Sequence, residues 1–268
     1  MEPALIVAAA SPAETIEGGY RYQSLGARNF TWSASQEYIV RTQQAGPVTV
    51  TSYAYPATEL PARAALDYTS QAIYYFSKQF GLPPHDSLSI VQADFPDGME
   101  FDGLYFLSDR FYYGFDGSPR SYLALIAVHE TAHQWWYARA GSDQALEPWL
   151  DEGLCTYSEV LFYESLNPEL ANWWWGFRVE PYAPEGSLTA TIYDFSQFLP
   201  YRNRIYLRGA QFLDALRHAM GDAAFFGALQ TYLTQFDGQI ATRTEFLSVF
   251  QQATQADLSP LIADYFKP

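Results

Sequence analysis

His129 and His133, four apart in His129-Glu130-Thr131-Ala132-His133, are the side chains best placed to do chemistry. On a helix they point the same way, because 3.6 residues complete a turn. Both imidazoles can then reach one ion at about 2.0–2.1 Å, the usual Zn–N distance. Glu130 lies one position on, rotated by roughly 100°. That is too far round to ligate with ease but suits holding and deprotonating a water. H-E-x-x-H on a helix is thus a zinc-hydrolase signature with a mechanism attached. The plain alternative, two core histidines on a buried helix, does not account for the complete pentapeptide.

The helix that must carry these residues is legible. Tyr122 to Val128 leads in and Gln134 to Ala138 leads out, with no Gly or Pro until Gly141. Ser118-Pro119 reads as its start. A catalytic zinc needs a third protein ligand and one open position. His85 falls in a Pro-rich turn and reads as a surface residue; His218 ends a later helix, and neither has ligand spacing. Cys155 reads as a small buried hydrophobe. A third His at the metzincin spacing is absent. Glu152, in the first turns of a helix over about 148–165, is the remaining choice, giving two His and a Glu. Pro148 is acceptable in that first turn.

The string HETAHQWW, then eighteen residues after His133, then Glu152 inside WLDEGLCTYSE, resembles the aminopeptidase N family of gluzincin zinc peptidases, which includes leukotriene hydrolase-like enzymes. The resemblance implies an α+β fold: a thermolysin-like zinc peptidase catalytic domain, with a small mixed β-sheet plus helices, preceded by a partial β-sheet segment. It implies one Zn2+ ion and release of N-terminal residues from peptides with a free N-terminus.

Two further stretches extend it. Asp97-Gly98-Met99-Glu100-Phe101 resembles the family's Gly-x-Met-Glu-Asn edge strand, with Asp97 in place of the first Gly and Phe101 in place of Asn. By that match Gly98, Met99 and Glu100 bind substrate, and Glu100 takes its free α-amino group in a charge-assisted contact. Tyr206-Leu207-Arg208-Gly209-Ala210 resembles a Tyr-x-Lys-Gly-Ala signature with Arg208 for Lys. Tyr206 is then the phenol that stabilises the oxyanion. Glu159, seven beyond Glu152 on the same helix face, and Asp151 are candidates to hydrogen-bond a ligand imidazole from behind. Glu130 is the general base. An endo- or oligopeptidase with an open cleft, or a non-catalytic peptide-binding module, are the alternatives.

Composition fits such a chain. Its 268 residues are 49% hydrophobic and 18% aromatic, enough for a sizeable core. A formal net charge of −15 argues against nucleic acid and anionic membrane as partners. One cysteine excludes an intrachain disulfide and leaves the compartment open. No apolar run approaches the ~20 residues of a membrane span. Leu5 to Ala10 reads as a strand, and Glu2 stands where a signal peptide would be basic. Nothing in the sequence sets an oligomeric state.

Residues 1–47 read as β, with runs at Leu5–Val7, Tyr20–Tyr22, Phe30–Trp32 and Tyr38–Val40. The resemblance makes them the C-terminal remnant of an N-terminal β domain, with the catalytic domain over 48–268. It also implies a C-terminal helical domain that has no counterpart before residue 268. A strand opens at Val48. A helix over 60–80, a strand over 87–92, a turn at 141–143 and helices over about 222–236, 242–255 and 258–266 follow. Thr242 and Glu245 form a capping box. Trp173-Trp174-Trp175 on a helix would face three directions, so these rings read as packing and not as a flat sugar platform.

Overall fold

The computed structural model describes residues 4–267, so Glu2 lies outside the described residues. The chain is α+β and divides into two compact units: residues up to 77 with 83–134, and residues 78–82 with those from 135 onward.

The first unit is built on short strands. Strands β1 (Ile6–Ala9) and β4 (Trp32–Ser35) pair antiparallel, and β2 (Ala13–Ile16) and β3 (Gly19–Tyr22) form a hairpin. The run expected at 30–32 is shifted to Trp32–Ser35, because pairing with β1 and not local propensity sets its register. Strands β5 (Ile39–Ala45), β6 (Val48–Ala54), β7 (Ser87–Ala93), β8 (Gly98–Phe101) and β9 (Leu104–Ser108) form a mixed sheet in the order β5-β6-β7-β9-β8. Ala45 pairs with Val48 around Gly46 at φ +62°, so residue 47 lies in the turn of a hairpin of this sheet. Helix α1 (Glu59–Phe80) crosses from β6 to its parallel neighbour β7. Such a crossover suits a strand buried on both faces, and residues 88–92 of β7 are all buried. Helix α2 (Asp109–Tyr113) and helix α3 (Tyr122–His133) complete the unit.

The second unit is nearly all helical. Strand β10 (Ala140–Ser142) precedes α4 (Trp149–Leu166), α5 (Pro168–Trp174), α6 (Phe198–Arg202), α7 (Arg208–Met220) and α8 (Asp222–Gln235). Then come β11 (Gln239–Ala241), α9 (Arg243–Gln252) and α10 (Ser259–Phe266). The turn expected at 141–143 is therefore partly strand: β10 pairs in parallel with β11, a partner about a hundred residues away that no local pattern announces. Trp149, fully buried, meets Phe212, Phe246 and Phe266 edge-on at 5.1–5.5 Å, which absorbs part of the aromatic content in this core. Trp174 is buried while Trp173 stacks on Phe177 at 5.2 Å, so the tryptophan run packs in separate directions. The capping box of Thr242 and Glu245 forms at the start of α9. Among the described residues no helix is long and apolar enough to cross a membrane.

Candidate active site

Helix α3 starts later than Ser118-Pro119. Ser118 instead accepts from the amide of Arg120 in a turn, and Ser121 is the cap, its Oγ accepting from Ala124 N at 3.3 Å. Every residue from Leu123 to His133 is buried, as expected for a helix apolar all round. From β9, Tyr105 reaches Thr69 Oγ1 of α1 at 2.5 Å and Thr131 Oγ1 of α3 at 3.5 Å, fixing α3 to the sheet. Burial pushes the Tyr105 phenol well above its ordinary range, so it stays a neutral link. After His133 the backbone loosens into a π-helical turn over Gln134–Arg139. Such turns recur at functional sites.

The histidine rings of α3 lie with centroids 5.0 Å apart at 78° to each other, His129 only 4% exposed and His133 fully buried. Two buried imidazoles on one helix face are a donor pair that fits zinc. Glu130, also 4% exposed, extends toward β8, the edge strand of the sheet. Glu100 of β8 joins it: carboxylate oxygens of Glu100 and Glu130 and a ring nitrogen of His133 all lie within 4.8 Å of one another.

Strand β8 is held with care. Asp97, which replaces a glycine of the related motif, accepts from Gly98 N through Oδ1 at 3.1 Å. Phe101, which replaces Asn, packs edge-on against Phe106 at 5.9 Å, on the strand face opposite Glu100. Gln134, next after the second histidine, accepts from Gly103 N and donates to Phe101 O, both at 3.0 Å, tying the β8–β9 turn to the end of α3. Buried Asp102 in that turn accepts from Arg28 N at 2.7 Å and pairs with His85 Nε2 at 2.5 Å. His85 is therefore not a free surface residue: its side chain is 17% exposed, because Asp102 supplies a buried charge for it to meet. Gln134 and Asp102 carry no sequence signal of their own, since each works through contacts remote in sequence.

In the second unit, Glu152 sits in the first turn of α4. Tyr206 lies in another π-helical turn, Asn203–Leu207, and donates to Glu152 Oε1 at 2.6 Å. A close crossing of α4 and α7 makes this contact possible. A Cβ on Gly209 would lie 2.8 Å from the Cα of Gly153, so two bare backbones meet there. Asp151, fully buried, accepts from Gln144 Nε2 at 2.7 Å, with Cys155 Sγ at 3.8 Å. Glu159, also fully buried, accepts from Trp174 Nε1 at 2.8 Å and from Arg178 Nε and Nη2 at 3.1 Å each. Arg178 thus grips that buried carboxylate with two prongs. Arg178 follows from no motif: it is a distant residue of an irregular stretch that the sequence left unassigned.

Aminopeptidase M1-B of Oryza sativa subsp. japonica is 26% identical over 208 residues, covering 72% of this chain and 23% of its own length. Aminopeptidase 2, mitochondrial, of Saccharomyces cerevisiae is 26% identical over 228 residues, covering 76% and 23%. The chain thus spans about a quarter of the length of these curated relatives. The crystal structure of an M1 zinc metallopeptidase from Deinococcus radiodurans matches the fold with a TM-score of 0.73 at 22% identity, over 100% of this chain and 62% of that one. A mutant of that enzyme, bound to a Tyr-Ser-Ala substrate, matches with a TM-score of 0.69, also at 22% identity, over 100% of this chain and 63% of that one. The sequence model of the peptidase family M1 domain matches residues 64–265, a stretch that takes in β8, both histidines, Glu152 and Tyr206. The chain belongs to peptidase family M1.

Proposed function

We propose that the chain is the catalytic part of a zinc-dependent aminopeptidase acting on peptides with a free N-terminus. The observation that carries this reading is the meeting of Glu100 and Glu130 beside His133: an amine anchor and a base on one strand–helix junction. Relatives named as aminopeptidases support it, as does the Tyr-Ser-Ala substrate bound by a mutant of the related Deinococcus enzyme. His129, His133 and Glu152 would hold the ion. When bound, zinc supplies a Lewis acid that acidifies water toward pKa ~7 and polarises a carbonyl.

The chain's own groups do the rest. Glu130 takes a proton from the attacking water and passes it to the leaving amine. Tyr206 turns its hydroxyl from Glu152 to the oxyanion as that charge develops. Glu100 binds the substrate ammonium, and Gly98 and Met99 present the edge strand along which the peptide lies, so cleavage falls after the first residue. Glu159 or Asp151 would hydrogen-bond a ligand imidazole from behind, fixing its tautomer and basicity. The division at residue 47 belongs to the same proposal, and the M1 match lies wholly within 48–268.

Replacing Glu130 by Gln preserves size and removes the base. E130Q should keep one zinc per chain by metal analysis and lose hydrolysis of a free-amine aminoacyl substrate. Turnover at the wild-type rate would refute the role.

A further inference from the structure

Tyr206 lies in the wide turn Asn203–Leu207, which the amide of Arg208 closes by donating to the carbonyls of Asn203 and Ile205. A bond back over five residues marks a π-helical turn, which is rare and occurs mostly as a single turn. The side chain of the closing residue is engaged elsewhere. The Arg208 guanidinium, on a side chain 18% exposed, lies with its Cζ 3.9 Å from the ring centre of Tyr265 in α10. Its Nη2 donates to Asp264 Oδ2 at 3.2 Å and its Nη1 to Gln211 Oε1 at 3.3 Å. Helix α10 is itself fixed to the helix of Glu152. Phe266 meets Trp149, three residues before Glu152 in α4, at 5.1 Å, and Phe212 of α7 at 5.0 Å. We propose that Arg208 is a positioning residue for Tyr206: its cation, laid on Tyr265, ties the turn that carries the phenol to α10 and so holds the hydroxyl at Glu152.

Helix α10 then works as a strut between the start of α4 and the turn before α7. The 2.6 Å bond from Tyr206 to Glu152 is set from both of its ends. Without the cation the turn can relax toward an ordinary helix, and a catalytic group displaced by about 1 Å can lose on the order of 100-fold. The related signature has a lysine here, which keeps the charge over the ring but not the planar fork. The inference rests on Tyr206 serving the oxyanion, as proposed above, and Y206F tests that separately. With Y206F impaired, R208M should lower kcat roughly 10-fold, with KM little changed and zinc retained, since the phenol acts in the transition state. R208K should stay within about threefold of wild type.

A double-variant cycle supplies the readout that a merely structural arginine would not move. Once the hydroxyl is gone, nothing remains for Arg208 to aim. R208M should therefore cost little more in the Y206F background, so the two losses are not additive. Rates are compared per zinc-loaded chain, well below each variant's melting temperature, which sets lost stability aside. Wild-type kcat in R208M, additive losses in the double variant, or an R208K as slow as R208M would overturn the inference. Should R208M fail to fold, Y265L removes the ring in place of the cation. A loss of kcat that vanishes in the Y206F background then supports the proposal, and wild-type kcat or an additive loss overturns it.

Discussion

Tyr206 is proposed to serve two states. In the structure its hydroxyl donates to Glu152, one of the proposed ligands, at 2.6 Å. In the proposed reaction the same hydroxyl serves the oxyanion. Removing one oxyanion donor typically costs about 10²–10³ in kcat. Y206F should show a loss of that size with KM little changed and zinc retained, measured by steady-state kinetics and metal analysis. An unchanged kcat would take Tyr206 out of the site. At this scale the sequence was most informative. His129, Glu130 and His133 stand out because the chemistry proposed for them depends on spacing along one helix. Tyr206 stands out among 21 tyrosines only through its neighbours Gly209 and Ala210. Gly98 was read as part of a substrate strand, and its close approach to Glu130 depends on how β8 meets α3, which no spacing encodes.

The β8–β9 hairpin carries Gly98, Met99 and Glu100, which are proposed to bind substrate, and its turn is anchored by Asp102. The hydrogen bond to Asp102, with smaller help from the charges of Asp102 and Asp86, raises the pKa of His85 above its ordinary 6.5; burial opposes this. A histidine whose folded pKa exceeds its unfolded one contributes stability that is full below the unfolded value and lost as pH rises through the folded value. The melting temperature of wild type should therefore exceed that of H85Q most at about pH 5.5, the gap narrowing by about pH 8.5. A gap independent of pH would show that the pair does not titrate in this way. Element by element, what was legible depended on locality. The α9 capping box is read within a few residues and forms as expected. The shifted β4, the β10–β11 pair and the π-helical turns after His133 and around Tyr206 answer to distant partners, so propensity alone misplaces or omits them.

At the scale of the whole molecule, the α+β class was what the family resemblance implied, and the M1 match over residues 64–265 fixes the family. The net charge of −15 bears on solubility and partners and not on the fold. The account stands on the claim that this chain recognises a free amino terminus beside a zinc-activated water. One comparison tests it most directly: hydrolysis, by the zinc-loaded protein, of an aminoacyl amide and of the same compound N-acetylated. Acetylation removes the ammonium charge that Glu100 is proposed to bind. The account predicts rapid cleavage of the free-amine compound, abolished by chelation, and little or none of the acetylated one. Equal cleavage of both would contradict it and place the activity with endopeptidases.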